Sequence, residues 1–295
     1  MKQMHVSVIG LGMMGSTIAE LYLKGGASVT IWNRSPGKAE RLLAAGAAQA
    51  AGLAAAFSAS ETIVMCVANG EAVSELLATP GVGAAIAGRT LIQLTTISAE
   101  TARSGASWAS EHGAGYLAGA IQAAPSQMGK ADTPLLVSGA EHTFQAQRAE
   151  LAALAGGLVY LGPEPGAAAT MDLATLSWVY GGMLGFLQGA LILQAEGVDV
   201  ASYGAIVRSI SPSFGAFFEH EGKVIQSGDF AITESPLRIS VDATLRLLRT
   251  AEQSGISTEF PGLVSSLFQR AAEQGLGGEE AAALIKVMRP ASGRR

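Results

Sequence analysis

The stretch VSVIGLGMMGSTIAELYLK, residues 6–24, decides the fold: a short apolar run, a glycine-rich turn, then a helix-forming run to about Lys24. Gly10, Gly12 and Gly15 have the spacing G-x-G-x-x-G in a strand–turn–helix context. The first glycine suits a tight turn, the second lets backbone approach a pyrophosphate, and the third allows close packing of helix on strand. Leu11, Met13 and Met14 fill the intervening positions of the same cradle. The helix start offers N–H donors and the positive end of its dipole to phosphates. An ordinary glycine-rich turn is the alternative, and what lies outward along the chain decides between the two.

Outward from that turn, the apolar runs SVTIW (28–32), TIVMCV (62–67) and RTLIQL (89–94) read as further buried parallel strands, each followed by a helical pattern. Repeated βαβ units predict a doubly wound sheet. Two more runs, PLLVSG (134–139) and GLVYLG (157–162), flank a helix that includes Phe144 to Leu154 and extend the same sheet. The strand signal then stops at Gly162-Pro163-Glu164-Pro165-Gly166. From Gly166 the text is helical: a long apolar segment over about 166–195, then shorter amphipathic pieces including 241–255 and 279–288. The expectation is an α/β Rossmann domain over 1–163, followed by an all-α domain over 164–295 joined through one long interdomain helix.

The apolar helix shapes the remaining architecture. Leu173 to Leu193 has no charged residue and is long enough for a bilayer. It is nonetheless a lone segment with no cationic cluster at either end and with Asp172 at its entrance, which favours burial in protein. Gly181, Gly185 and Gly189 recur every four residues, a stripe that lets another helix approach closely. A small helical domain can hardly surround such a helix, so a homodimer is expected, with a monomer wrapped by its last helices as the alternative.

Composition narrows the function. With 295 residues, 49% apolar and 15% charged, the chain can bury a large core in two domains. A net charge of −5, with no Lys/Arg run but Arg294-Arg295, gives no field for a nucleic acid. The single cysteine excludes an intrachain disulfide, and the start of the chain lacks a signal-type pattern, so the expected location is cytoplasmic. His5, His112, His142 and His220 show no metal-ligand spacing, and no metal is expected.

After the second strand, where an NAD-preferring site places an acid on the ribose, stand Asn33, Arg34 and Ser35, with Lys38 three residues on. An acid would repel a 2′-phosphate and these groups can donate to one, so NADPH is the expected cofactor; a plain surface Arg/Lys pair is the alternative. Cys66 and Val67, with Thr95 and Thr96, stand at the ends of their strand runs and complete the cofactor candidates. Cys66 itself reads as a small apolar residue without a histidine partner.

GLGMMG (10–15), WNRS (32–35), QLTTIS (93–98), GAIQAAPSQMG (119–129) and GFLQGALILQAEGV (185–198), in this order, resemble an imine reductase of the β-hydroxyacid dehydrogenase superfamily. That superfamily carries a catalytic lysine at the start of its long helix; here Asp172 takes its place. An ammonium stabilises the negative charge that develops when hydride attacks a ketone, whereas a carboxylate favours a protonated imine. The resemblance therefore implies hydride transfer to C=N, with Asp172 as anchor, or as proton donor if apolar surroundings raise its pKa. Helix capping is the structural alternative for an Asp here. Tyr180, eight residues on and roughly 80° around the helix, is implied beside the substrate nitrogen, and a core tyrosine is its alternative. Thr96 stands where relatives that join ketones to amines often carry Asn.

The resemblance also implies a substrate pocket from Thr96, Gln122, Trp178 and Met183, with Phe214, Ile239 and Ser240 supplied by a domain-swapped partner. Rival readings are a 3-hydroxyacid dehydrogenase of the same fold and a non-catalytic NADPH-binding protein. The first needs a cation for the substrate carboxylate, which GAIQAAPSQMG lacks before Lys130.

Overall fold

The computed structural model describes residues 4–35 and 37–289, so Arg294-Arg295 lie outside the described residues. The strands are β1 (His5–Ile9), β2 (Ser28–Trp32), β3 (Ala48–Gln49), β4 (Thr62–Met65), β5 (Thr90–Gln93), β6 (Gly115–Ile121), β7 (Pro134–Gly139) and β8 (Gly157–Tyr160). They form one sheet in the order β3-β2-β1-β4-β5-β6-β7-β8. The connections hold α1 (Met13–Lys24), α2 (Glu40–Ala44), α3 (Leu53–Ser58), α4 (Gly70–Leu77), α5 (Val82–Ala85), α6 (Ala99–Glu111), α7 (Glu141–Ala146) and α8 (Arg148–Ala152).

Strand alternation sorts the core into two layers. Val64, Ile92 and Leu117 join α1 residues Ile18 and Tyr22 on one face. Their neighbours Ile63, Met65, Leu91 and Ala118 join Phe57 and Ala102 on the other. A sheet covered on both faces needs apolar side chains in both directions, which is why its strands read as unbroken apolar runs.

The Rossmann domain and the helical region stand as expected, with differences of detail. β3 and β6 have no counterpart in the sequence reading, because GYLAGAI is too rich in Gly and Ala to look like a strand. The small residues are needed there: a Cβ on Gly119 would run into Leu94, and one on Gly115 would lie 3.0 Å from Thr90 Oγ1. The sheet is not parallel throughout, since β7 runs antiparallel to β6 and β8 follows β7. The single helix expected over 144–154 is two short ones, α7 and α8, meeting at Gln147.

The reversal at β7 decides where the chain goes next. β8 ends at the pole opposite the carboxyl ends of β1 to β6, and α9 (Ala167–Ala195) starts beside the sheet. There Ser138 Oγ accepts the Ala168 N–H at 3.0 Å and Ala169 packs into the core. From that anchor the helix reaches Asp172 beside Gln122, just past the end of β6.

Packing parts the chain into two compact units between Ser177 and Trp178, inside α9, whereas the sequence pattern divides it at 163/164. The second unit continues with α10 (Val200–Ser227), α11 (Leu237–Gln253), α12 (Glu259–Glu273) and α13 (Ile285–Met288). α10 is no short piece; Asp199 caps it by accepting the Ala201 and Ser202 N–H groups, and Gly228 ends it at φ 72°. The 279–288 stretch holds a 3-10 turn over Ala281–Leu284 before α13.

Part of the glycine stripe on α9 is filled within the chain. A Cβ on Gly189 would collide with Tyr203, and one on Gly185 would touch Phe260 at 3.6 Å, while one on Gly181 would meet nothing within 4 Å among the described residues. α9 is long and apolar enough to cross a membrane, and only 6% of its most apolar window is buried within the chain.

Candidate active site

The glycine turn builds one wall of a cleft of about 390 Å³ at the carboxyl ends of β1, β2 and β4. Gly10 sits at φ 97°, and a Cβ there would run into the Cys66 carbonyl; one on Gly15 would run into the Gly10 carbonyl. Both glycines are fixed by the fold. Gly12 is different: its backbone is extended and a Cβ would meet nothing within 4 Å among the described residues. No side chain caps α1 at Gly12, which leaves the first-turn N–H groups for an anion. An open backbone, an uncapped helix start and a cleft of this size fit the pyrophosphate of a dinucleotide.

Leu11, Met13, Met14, Asn33, Arg34, Ser35, Lys38, Cys66 and Val67 line the same cleft. Asn33 is a brace as well as a wall: its Oδ1 accepts the Leu11 N–H at 3.0 Å and its Nδ2 donates to the Ser35 carbonyl at 2.8 Å. An aspartate could accept from Leu11 but could not donate to Ser35, so the amide is suited to this turn. Arg34 meets Glu75 at 3.4 Å with both side chains largely exposed, a weak pair that leaves the guanidinium available. Burial pushes the Cys66 thiol up to about 11, which keeps it protonated and unreactive near neutral pH. Thr95 does not line the cleft; buried, its Oγ1 accepts the Val67 N–H at 2.9 Å and so supports the wall.

Thr96, Gln122 and Asp172 come together in the first unit. Asp172 is the sixth residue of α9, too far in to cap it. It is only 5% exposed, and burial raises its pKa, against which hydrogen bonds from Gln122 and Thr96 favour the charged form. Gln122 Nε2 donates to Asp172 Oδ1 at 2.6 Å, and the Thr175 hydroxyl donates to Gln122 Oε1 at 2.7 Å. Thr175 was not a candidate from the sequence, although its place three residues after Asp172 on one helix face is a readable signal.

The remaining candidates lie in the second unit. Trp178, Tyr180, Met183, Phe214 and Ile239 are all at least half exposed. Trp178 stands edge-on to Phe218 with ring centroids 6.5 Å apart, and the Ser240 carbonyl accepts the Thr244 hydroxyl at 2.8 Å. That many large apolar groups in water mark a surface awaiting a ligand or another protein.

Another titratable cluster escapes the sequence spacing: His220, Glu221 and Glu280, with ligand-type atoms within 4.8 Å of one another. Glu280 is fully buried and accepts the N–H groups of Thr233, Glu234 and Ser235. Burial would raise its pKa, but those hydrogen bonds outweigh burial and hold it down at about 2. With its oxygens taken by backbone, Glu280 is a structural brace.

Residues 5–162 match the NAD-binding domain of 6-phosphogluconate dehydrogenase, and 164–290 match the family described as NADPH-dependent reductive aminase-like, C-terminal domain. The chain is 31% identical to an NADPH-dependent reductive aminase of Aspergillus oryzae over 96% of each chain. It belongs to the imine reductase and reductive aminase family. The resemblance read from the motifs is thereby borne out, and so is the fold class. The structure of an imine reductase from Myxococcus stipitatus in complex with NADP+ superposes with a TM-score of 0.89 at 30% identity, covering 97% of this chain and all of that one. An L-threonate dehydrogenase of Pectobacterium atrosepticum is 27% identical over 96% of this chain and 93% of its own length. This imine reductase relative is thus an oxidoreductase-family protein within a superfamily that handles both C=N and hydroxyacid chemistry.

Proposed function

We propose that the protein is an NADPH-dependent imine reductase that reduces the C=N bond of a cyclic imine or iminium. The observation that carries the reading is Asp172, a buried carboxylate with a neutral amide and a hydroxyl as its hydrogen-bonding partners. An uncompensated buried carboxylate attracts a cation, and a protonated imine is a cation of the right kind. NADPH, when bound, supplies the hydride. Asp172 holds the protonated nitrogen, Thr96 and Gln122 border the same carboxylate, and Tyr180 is assigned the amine side of the pocket.

The cofactor preference rests on Arg34, Ser35 and Lys38 around a cleft with no acid at Asn33. The bare apolar faces of α9 and α10 support a homodimer with exchanged helical domains, in which Phe214, Ile239 and Ser240 serve the partner's pocket. A second copy, not a bilayer, covers α9 in this reading, and the enzyme is cytoplasmic. A 3-hydroxyacid dehydrogenase would need a cation for the substrate carboxylate, and the 119–129 segment supplies none before Lys130.

The test is NADPH oxidation with 2-methylpyrroline, beside a 3-hydroxyacid assayed with NADP in reverse, each repeated with Asp172→Asn. We expect imine reduction, an inert hydroxyacid, and a loss of about 100-fold or more in kcat/KM in the variant. Turnover of the hydroxyacid alone would overturn the charge argument, and cofactor binding without any turnover would favour a non-catalytic protein.

A further inference from the structure

The amide that meets Asp172 has a direction, and one hydroxyl sets it. The two ends of a glutamine amide differ little in size, so packing alone does not choose which end faces the carboxylate. Thr175 Oγ1 lies 2.7 Å from Gln122 Oε1 and 2.9 Å from the Asp172 backbone carbonyl, and it carries one proton for two acceptors. Donation to Gln122 pins Oε1 at the threonine and turns the NH2 end toward Asp172 Oδ1. Without that hydroxyl the amide is free to turn and present its oxygen to the carboxylate, which favours the protonated acid.

We infer that Thr175 is a positioning residue that fixes the polarity of Gln122 and thereby keeps the buried Asp172 ionised for a cationic substrate. The inference rests on the imine-reductase reading of Asp172. Neither residue has to touch the reacting atoms for the effect to appear, because it acts through the charge of a third group. Among the described residues, the side chains that hydrogen-bond this carboxylate are Gln122 and Thr96, both uncharged, so the amide's direction is a large part of its hydrogen-bonding environment.

The experiment is the pH dependence of kcat/KM for 2-methylpyrroline with the full-length enzyme and saturating NADPH. In Thr175→Val the acid limb, where activity falls as Asp172 takes up a proton, moves up by about one pH unit. Thr175→Ser, which keeps the hydroxyl, returns the limb to its original place. Gln122→Met removes the amide from another segment of the chain and shifts the limb the same way, which covers the case of a poorly folded Thr175→Val. The limb set by the substrate nitrogen stays fixed in all variants. An even loss at every pH, or superposed profiles, overturns the inference. If Asp172→Asn keeps full activity, the reading of Asp172 falls and the positioning role with it. If Asp172→Asn is inactive while both variants leave the limb in place, only the positioning role falls.

Discussion

Gly10, Gly12 and Gly15 share one motif but answer to different constraints, and substitution separates them. Gly12→Ala adds a methyl group to open space on extended backbone, so unfolding free energy should change by less than about 0.5 kcal/mol while NADPH binding weakens about tenfold or more. Gly15→Ala presses a methyl group on a backbone carbonyl that cannot yield, which should cost roughly 1–3 kcal/mol and lower the melting temperature. Thermal unfolding beside a fluorescence titration with NADPH checks both; equal loss of stability in the two variants would contradict the assignment. The motif is legible in the sequence because each glycine's task follows from its spacing. Asp172 is legible only by resemblance, and its partner Gln122 lies 50 residues back, brought close by a strand reversal that no local pattern announces.

α9 was readable as an element because it carries no charge over 21 residues, whereas α10 was broken up on the page by Pro212, Gly204, Gly215 and Gly222. Those residues lower helix propensity without forbidding a helix whose start is capped by Asp199. The glycines of α9 then make an element-scale prediction. Gly189→Ala drives into Tyr203, a ring stacked on Phe186 at 4.9 Å, and should destabilise the chain by roughly 1–3 kcal/mol. Gly181→Ala meets nothing within 4 Å among the described residues and should leave a dilute sample more stable than the parent by up to about 1 kcal/mol, since alanine is the better helix former. If a second copy covers that face, Gly181→Ala weakens self-association instead. Sedimentation velocity across a concentration series would then show dissociation at higher protein concentration than for the parent chain.

For the whole molecule, stability against pH is governed in part by two buried carboxyls far apart in sequence. Glu280, held at about 2, contributes stability that is present above the unfolded carboxyl range and is lost as pH falls through it toward 2. Glu221 has the opposite sign: burial, and then the charge of Glu280, raise its pKa, so its contribution is present at low pH and is lost as pH rises through the folded value. Its Oε1 is buried with no hydrogen-bond partner among the described residues, while Oε2 accepts the Ala282 N–H. His220 is the nearby group that favours its charge. Glu221→Gln removes the titration, so the variant's melting temperature should gain on the parent's as pH rises from about 4, the unfolded carboxyl range, through the folded value of Glu221; parallel curves would refute this. The path of α9 has another consequence. The parts that build the dinucleotide cleft hang from the carboxyl ends of parallel strands, whereas Asp172 arrives on a helix pegged to the sheet at Ser138. In the proposed reading the two halves of the chemistry are therefore separable: a change of residue at position 172 would alter the charge that the site favours on its substrate while leaving the cofactor cradle as it is.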